Sequence, residues 1–279
     1  MKLTTPVNIA ALREPFSLQD RIMLLGSCFA DNMGAKFSDA GFDVCVNPFG
    51  TLYNTESIRN AVARLDSRKP FDISDCVEMG AGAGRICSFS HHTSFARPTA
   101  EEFLQNANES LRQACEFWDS ANRVIITLGT ALVWYHNGAA VANCLKRPAT
   151  EFERSMMSVS GISEALQAVV IAHPEKRFLI TVSPIRHMGD GAHVNSLSKA
   201  SLLLGAEGLA ADYFPAYEIL TDELRDYRFY ADDLVHPSAA AVQYIWERFL
   251  ETMVDPADLP AIAANEKAAR RSAHRSILK

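Results

Sequence analysis

The sequence has no long apolar run and no concentration of positive charge, and each absence removes a class of function. No stretch approaches the ~20 consecutive apolar residues that a membrane-spanning helix needs. The opening residues, MKLTTPVNIAALREPF, lack the unbroken apolar segment of a secretory signal, because Arg13 and Glu14 interrupt it. Lys and Arg number 27 against 33 Asp and Glu, a formal net charge of −6, so no electrostatic footprint marks a nucleic-acid partner or an anionic membrane. The one basic run, Lys267 to Lys279, is Ala-rich and reads as a solvated helix end. The six cysteines (Cys28, Cys45, Cys76, Cys87, Cys115, Cys144) stand singly with no CxxC pair. A chain of 279 residues needs no disulfide staples, so reduced thiols and a cytoplasmic location are expected. There is also no Ser/Gly-rich linker, repeat or low-complexity block. One domain over residues 1–279 is the expectation, with no metal and no cofactor.

The hydrophobic fraction of 48% is ample for a sizeable core. Five apolar runs ending in small or turn residues read as buried strands: Arg21–Ser27, Phe42–Asn47, Arg123–Leu128, Phe178–Ser183 and Phe214–Leu220. Helical patterns lie between or after them, near Phe29–Ala40, Glu56–Leu65, Ala100–Ser120, Ser160–His173, Asn195–Ala211 and Ser238–Met253. Strands alternating with helices predict an α/β fold with a mostly parallel sheet covered on both faces. Two stretches break the alternation and read as insertions. Residues 71–98 centre on GAGAG, and residues 132–146 hold Asn137-Gly138, a type I′ hairpin signal.

Two constellations carry chemistry. Gly26-Ser27-Cys28 falls at the carboxyl end of a strand and the start of a helix, where ligands bind in open α/β sheets and free N–H groups favour negative charge. Ser27 there is either a nucleophile or a plain helix cap. Asp233-Leu234-Val235-His236 precedes the final amphipathic helix. A D-x-x-H turn lets the carboxylate fix one imidazole nitrogen while the other takes a proton from a serine. Read without Ser27, this pair is equally a surface loop pair, with Asp232 alongside.

Together and in this order, these residues resemble the GSCFA family, a branch similar to the SGNH/GDSL hydrolases. GSCFA at 26–30 carries the resemblance, with NPFGTLYN (47–54), TLGTALVW (127–134), Asn143-Cys144, TVSPIRH (181–187) and YADDLVHPS (230–238), spanning about Arg21 to Trp246. The resemblance implies a flavodoxin-like three-layer α/β/α sandwich whose five-stranded sheet has the order 2-1-3-4-5. It also implies ester or acyl chemistry with Ser27 as nucleophile, His236 as base and Asp233 as orienter. The backbone N–H groups of Ser27 and Gly50 would form the oxyanion hole. The superfamily's third block, Gly-x-Asn-Asp, reads Gly129-Thr130-Ala131 here, so either Thr130 or Asn143 replaces the missing donor or the hole has only backbone donors.

Cys28 beside Ser27 is a second nucleophile candidate, since a thiolate needs less activation, but it is read as an inert thiol facing the core; the GAGAG segment is read as a hairpin tip. His92, Arg186 and Asn195 are candidate substrate-binding residues, with His187 beside Arg186 read in the same way, and each has a plain structural alternative. Tyr244, Trp246 and Phe249 read as helix packing. The expected substrate is a small-molecule or carbohydrate ester, taken by water or by an acceptor hydroxyl. The alternative is a catalytically degenerate binding module on the same fold.

Overall fold

The first apolar run, RIMLLG, forms β1 (Arg21–Gly26), and Ser27 caps α1 (Cys28–Ala40), which leads to β2 (Asp43–Val46) and α2 (Thr55–Ser67). A short hairpin follows, β3 (Val77–Glu78) and β4 (Ile86–Cys87), then α3 (Ala100–Ser120) and β5 (Arg123–Leu128). Three more strands, β6 (Leu132–His136), β7 (Ala139–Val141) and β8 (Glu153–Met156), precede α4 (Val159–Ala172), β9 (Arg177–Val182) and α5 (Gly191–Ala206). The chain continues through β10 (Asp212–Tyr213), α6 (Ala216–Glu218), α7 (Ala239–Met253) and α8 (Leu259–Ile277). This computed structural model describes residues 4–277. The basic tail is helical up to Ile277, and Leu278 and Lys279 lie outside the described residues.

The main sheet runs β2-β1-β5-β9-β10 with every pair parallel. Counted along this sheet, that is the expected order 2-1-3-4-5. Alternate residues of each strand face opposite layers, as a period of two requires. Met23, Leu25, Val124, Ile126, Phe178 and Ile180 join the cluster under α2, α3, α4 and α5. Ile22, Leu24, Ile125 and Leu179 join the cluster under α1, α7 and α8, where Phe37 meets Trp246 and Phe249 edge-on at 5.0 and 5.1 Å. Trp246 and Phe249 are thus core residues, while the half-buried Tyr244 gives its hydroxyl to Glu223.

The expected strand Phe214–Leu220 is a correction. The fifth strand is only Asp212–Tyr213, and the apolar residues beyond it form α6 and a π-helical turn at Ile219–Leu224. Buried Ala216, Ile219 and Leu220 recur at i, i+3 and i+4, a helical stripe that a short window reads as strand. Asn137 and Gly138 take φ of +50° and +77°, the left-handed pair of a type I′ turn. The hairpin they close gains a third, polar strand, β8, so that β7-β6-β8 form a small antiparallel sheet. Among the described residues no helix is long and apolar enough to cross a membrane.

Candidate active site

β1 ends at Gly26, whose φ of +141° suits glycine alone, and a Cβ there would run into the Thr127 carbonyl. This close approach turns the chain into α1 and makes Ser27 the N-cap, with φ −69° and ψ 176°. The Phe29 N–H donates to the Ser27 hydroxyl at 3.2 Å. The same oxygen bonds the hydroxyls of Ser183 at 2.7 Å and Thr127 at 3.2 Å, and the residue is fully buried. The Ser27 N–H is spent on the Thr127 side chain at 3.0 Å and on its carbonyl at 3.2 Å. That donor is therefore unavailable to an oxyanion.

A cavity of about 500 Å³ opens at the carboxyl edge of the sheet. Its wall includes Cys28, Tyr53, Asn54, Thr130, Trp134, Arg186, His187 and His236, but not Ser27. Cys28 packs against the core cluster under α1, α7 and α8, as expected, and is also half-exposed on the cavity wall. Once Ser27 occupies the cap, the next residue is rotated by a helical step to the open side of the turn. Burial, then the Asp31 carboxylate one turn on, push the Cys28 thiol up, while the N–H groups of Cys28 and Phe29 and the Lys199 amine pull it down.

The Asp233–His236 turn is tied at its base. Tyr230 and Pro237 form an antiparallel bridge, and Ala231 N–H donates to the His236 carbonyl at 2.8 Å. One oxygen of Asp233 accepts from the N–H groups of Val235 and His236 at 2.8 and 2.9 Å; the other accepts from His236 Nδ1 at 2.6 Å. These bonds hold the Asp233 carboxyl down to about 2. Because the partner is a carboxylate, Nδ1 carries the proton and Nε2 is left as the basic nitrogen, with no hydrogen-bond partner among the described residues. No hydrogen bond joins His236 to Ser27 among the described residues; His236 shares its cavity wall with Cys28.

The other sequence candidates separate by geometry. Gly50 gives its N–H to the Asn47 carbonyl at 2.7 Å in a tight turn with φ +76°, so it has no donor left for the hole. Thr130 lies on the wall, but its N–H goes to the Tyr53 carbonyl at 2.8 Å and its hydroxyl bonds Ser198 at 3.0 Å. Asn143 is off the wall, and its side-chain oxygen caps the Leu145 N–H at 2.8 Å. His92 is off the wall too, capping the turn at Thr93–Phe95 through Nδ1. Asn195 is buried and accepts from the His187 N–H at 2.8 Å, which orients His187. Arg186 does reach the cavity. It also grips the histidine turn, donating to the Leu234 carbonyl from its side chain and to the Val235 carbonyl from its backbone, each at 3.0 Å, with its guanidinium over the rings of Tyr227 and Tyr230.

Asn54 and Lys199 escape sequence reading, while His187 is a candidate beside Arg186 whose partners the sequence does not show. Asn54 caps α2 with its side-chain oxygen, accepting from Ser57 N–H at 2.8 Å, while its Nδ2 has no partner among the described residues and the residue lines the cavity. His187 donates from Nε2 to the Gly129 carbonyl at 3.1 Å, and burial, then the Lys199 charge, hold its pKa down to about 4. Lys199 is completely buried, giving Nζ–H to the carbonyls of Gly129 at 2.7 Å and Ser183 at 2.8 Å, and desolvation brings it down to about 7. A signal for it exists in the sequence: positions 195, 198, 199 and 202 fall on one helical stripe, and all four are buried.

No match is found among curated proteins. Among solved structures, the crystal structure of a psychrotrophic esterase, EstA from Pseudoalteromonas sp., inhibited by monoethylphosphonate, is 13% identical with a TM-score of 0.40, covering 84% of this chain and 96% of that one. The GSCFA family profile matches residues 21–249, the stretch that holds the Gly26–Cys28 turn, the whole five-stranded sheet and the Asp233–His236 pair. The chain belongs to the GSCFA family.

Proposed function

We propose that the chain is an acyl-transfer enzyme, a hydrolase or O-acyltransferase that opens an ester or O-acyl group through a covalent acyl-enzyme. The observation that carries this reading is the Asp233–His236 pair, bonded at 2.6 Å, on the wall of a cavity that also reaches the first residue of α1. A carboxylate that fixes Nδ1–H leaves Nε2 as general base, and a helix start is where an oxyanion is best received. The nucleophile belongs to the Ser27–Cys28 turn. Nδ2 of Asn54 and the Cys28 N–H, neither taken by an oxygen among the described residues, supply the hole in place of the spent donors of Ser27, Gly50 and Thr130. Trp134, with Arg154 stacked 4.8 Å over its ring and paired to Asp190 at 2.5 Å, offers a flat apolar face for a sugar ring beside an ordered charge. Water as acceptor gives an esterase; an acceptor hydroxyl gives an acyltransferase with the same first half-reaction.

The rival is a binding module that has lost turnover, favoured by the number of hole donors already spent in the fold. A panel of p-nitrophenyl esters of increasing chain length separates the two. His236→Ala is expected to lower turnover about 10²-fold or more. Equal turnover in the variant and the parent on every ester supports the binding module.

A further inference from the structure

We propose that the nucleophile of this site is the thiol of Cys28 and that Ser27 is its structural cap, so that the covalent intermediate is a thioester. The inference rests on the acyl-transfer reading above and sharpens it.

Two independent sets of contacts point the same way. Ser27 has no freedom to react: it is fully buried, its hydroxyl receives the Phe29 N–H, and the hydroxyls of Ser183 and Thr127 occupy the rest of its bonding capacity. Rotating it toward the cavity would uncap α1 and leave the Ser183 hydroxyl without its Ser27 partner. Cys28 has the opposite character. It is half-buried, no oxygen among the described residues holds its sulfur, and it lines the cavity shared with His236. Beneath it, the Lys199 amine is fixed by the carbonyls of Gly129 and Ser183; burial and the Asp31 carboxylate leave the thiol raised from its ordinary value, and the Lys199 charge offsets part of that rise.

The chemistry of the base agrees. The side chains of Asp233 and His236 are 49% and 45% exposed. Water screens such a pair and weakens the help it gives the imidazole. A serine hydroxyl asks much of a base so placed, whereas a thiol ionises many orders of magnitude more readily. The Cys28 S–H gives its proton to His236 Nε2 as the sulfur attacks the acyl carbonyl. The resulting oxyanion faces Asn54 Nδ2 and the Cys28 N–H. Collapse breaks the bond to the alkoxide leaving group, which takes the proton from His236. Water or an acceptor hydroxyl then adds to the thioester, its proton passing to His236, and the released Cys28 thiolate recovers that proton.

The test is acid quench of the wild-type protein during turnover of p-nitrophenyl butyrate, followed by peptide mapping, alongside steady-state turnover of Cys28→Ala and Ser27→Ala. The expected result is a butyryl group on Cys28 that neutral hydroxylamine removes, as it does thioesters. Turnover should fall about 10³-fold or more in Cys28→Ala and much less in Ser27→Ala. A hydroxylamine-resistant adduct on Ser27, or turnover that survives in Cys28→Ala, overturns the thiol assignment while leaving acyl transfer intact. Neither turnover nor adduct in the wild type overturns both. The adduct is mapped on unmodified sequence, so the answer does not depend on whether Ser27→Ala, which loses a helix cap, folds fully.

Discussion

His91 shows how a single side chain is committed by its surroundings. Its ring is fully buried among Phe71, Phe95 and Phe103, with Nδ1 on the Ser88 hydroxyl at 2.7 Å. Desolvation, then the nearby Arg64, hold its pKa down to about 3. The unfolded chain would take up that proton near the ordinary histidine value of about 6.5. Between those two values the unfolded state binds more protons. Stability therefore falls as pH drops through 6.5 and continues to fall toward 3, at up to ~1.4 kcal/mol per pH unit. His91→Gln should flatten the acid limb by about one proton in urea denaturation run from pH 7 to pH 4; an unchanged limb would show that His91 titrates freely in the folded state. Asn54 allows a cleaner separation of roles, because cap and donor sit on different atoms. Asn54→Ser and Asn54→Asp both keep a capping oxygen and both remove Nδ2. Each should hold the melting temperature within a few degrees yet lower kcat about 10²–10³-fold. Wild-type kcat in both variants would remove Asn54 from the hole.

The elements of the site are two turns held from behind. The histidine turn has Leu234 at φ +56°, is closed by the Tyr230–Pro237 bridge and is strapped by Arg186 to the segment after β9. Arg186→Ala removes the side-chain strap and leaves the backbone bond to Val235. Amide exchange at 234–236 should quicken, and kcat should fall about 10-fold through lost positioning of His236; a variant that changes KM alone would instead mark Arg186 as a substrate ligand. This is also the scale at which sequence reading succeeds and fails for visible reasons. The long helices and β1, β5 and β9 carry one periodicity over enough residues to be unambiguous. Phe214–Leu220 mixes both periods in seven residues, and tertiary packing chose the helix. Strand β8, with Glu153, Arg154 and Ser155 exposed, has no apolar alternation to find. The Asp233–His236 pair is legible because four consecutive residues build it. Which N–H groups of Ser27, Gly50 and Thr130 remain free depends on Thr127, Asn47 and Tyr53, partners as far as 100 residues away, and so could not be read along the chain.

Across the whole molecule, the two edges of the sheet are given different work. The carboxyl edge holds the cavity, the Cys28 turn and the histidine turn. The amino edge is closed by a buried network. Arg123, at the start of β5, donates Nε to Asp20 at 3.1 Å and Nη2 to the carbonyls of Glu14 and Pro15, with its guanidinium 4.8 Å from the Phe16 ring centre. Asp20 also accepts from Asn122 at 2.6 Å and from the Ser17 N–H at 2.9 Å, which pins the N-terminal segment across the strand ends. Both charges are buried, so taking away one strands the other, a loss of about 3–5 kcal/mol in comparable buried pairs. The six residues of β5 put roughly 17–20 Å between that network and the cavity, too far for shared contacts, so effects at the two edges should add independently. Asp20→Asn is therefore expected to lower stability by roughly 3 kcal/mol in urea denaturation while the folded protein keeps ester turnover within about twofold of wild type. A matching loss of turnover, measured well below the unfolding transition, would mean that strain at the amino edge reaches the catalytic turns through the strands. The division of the sheet into a structural edge and a reactive edge would then fail.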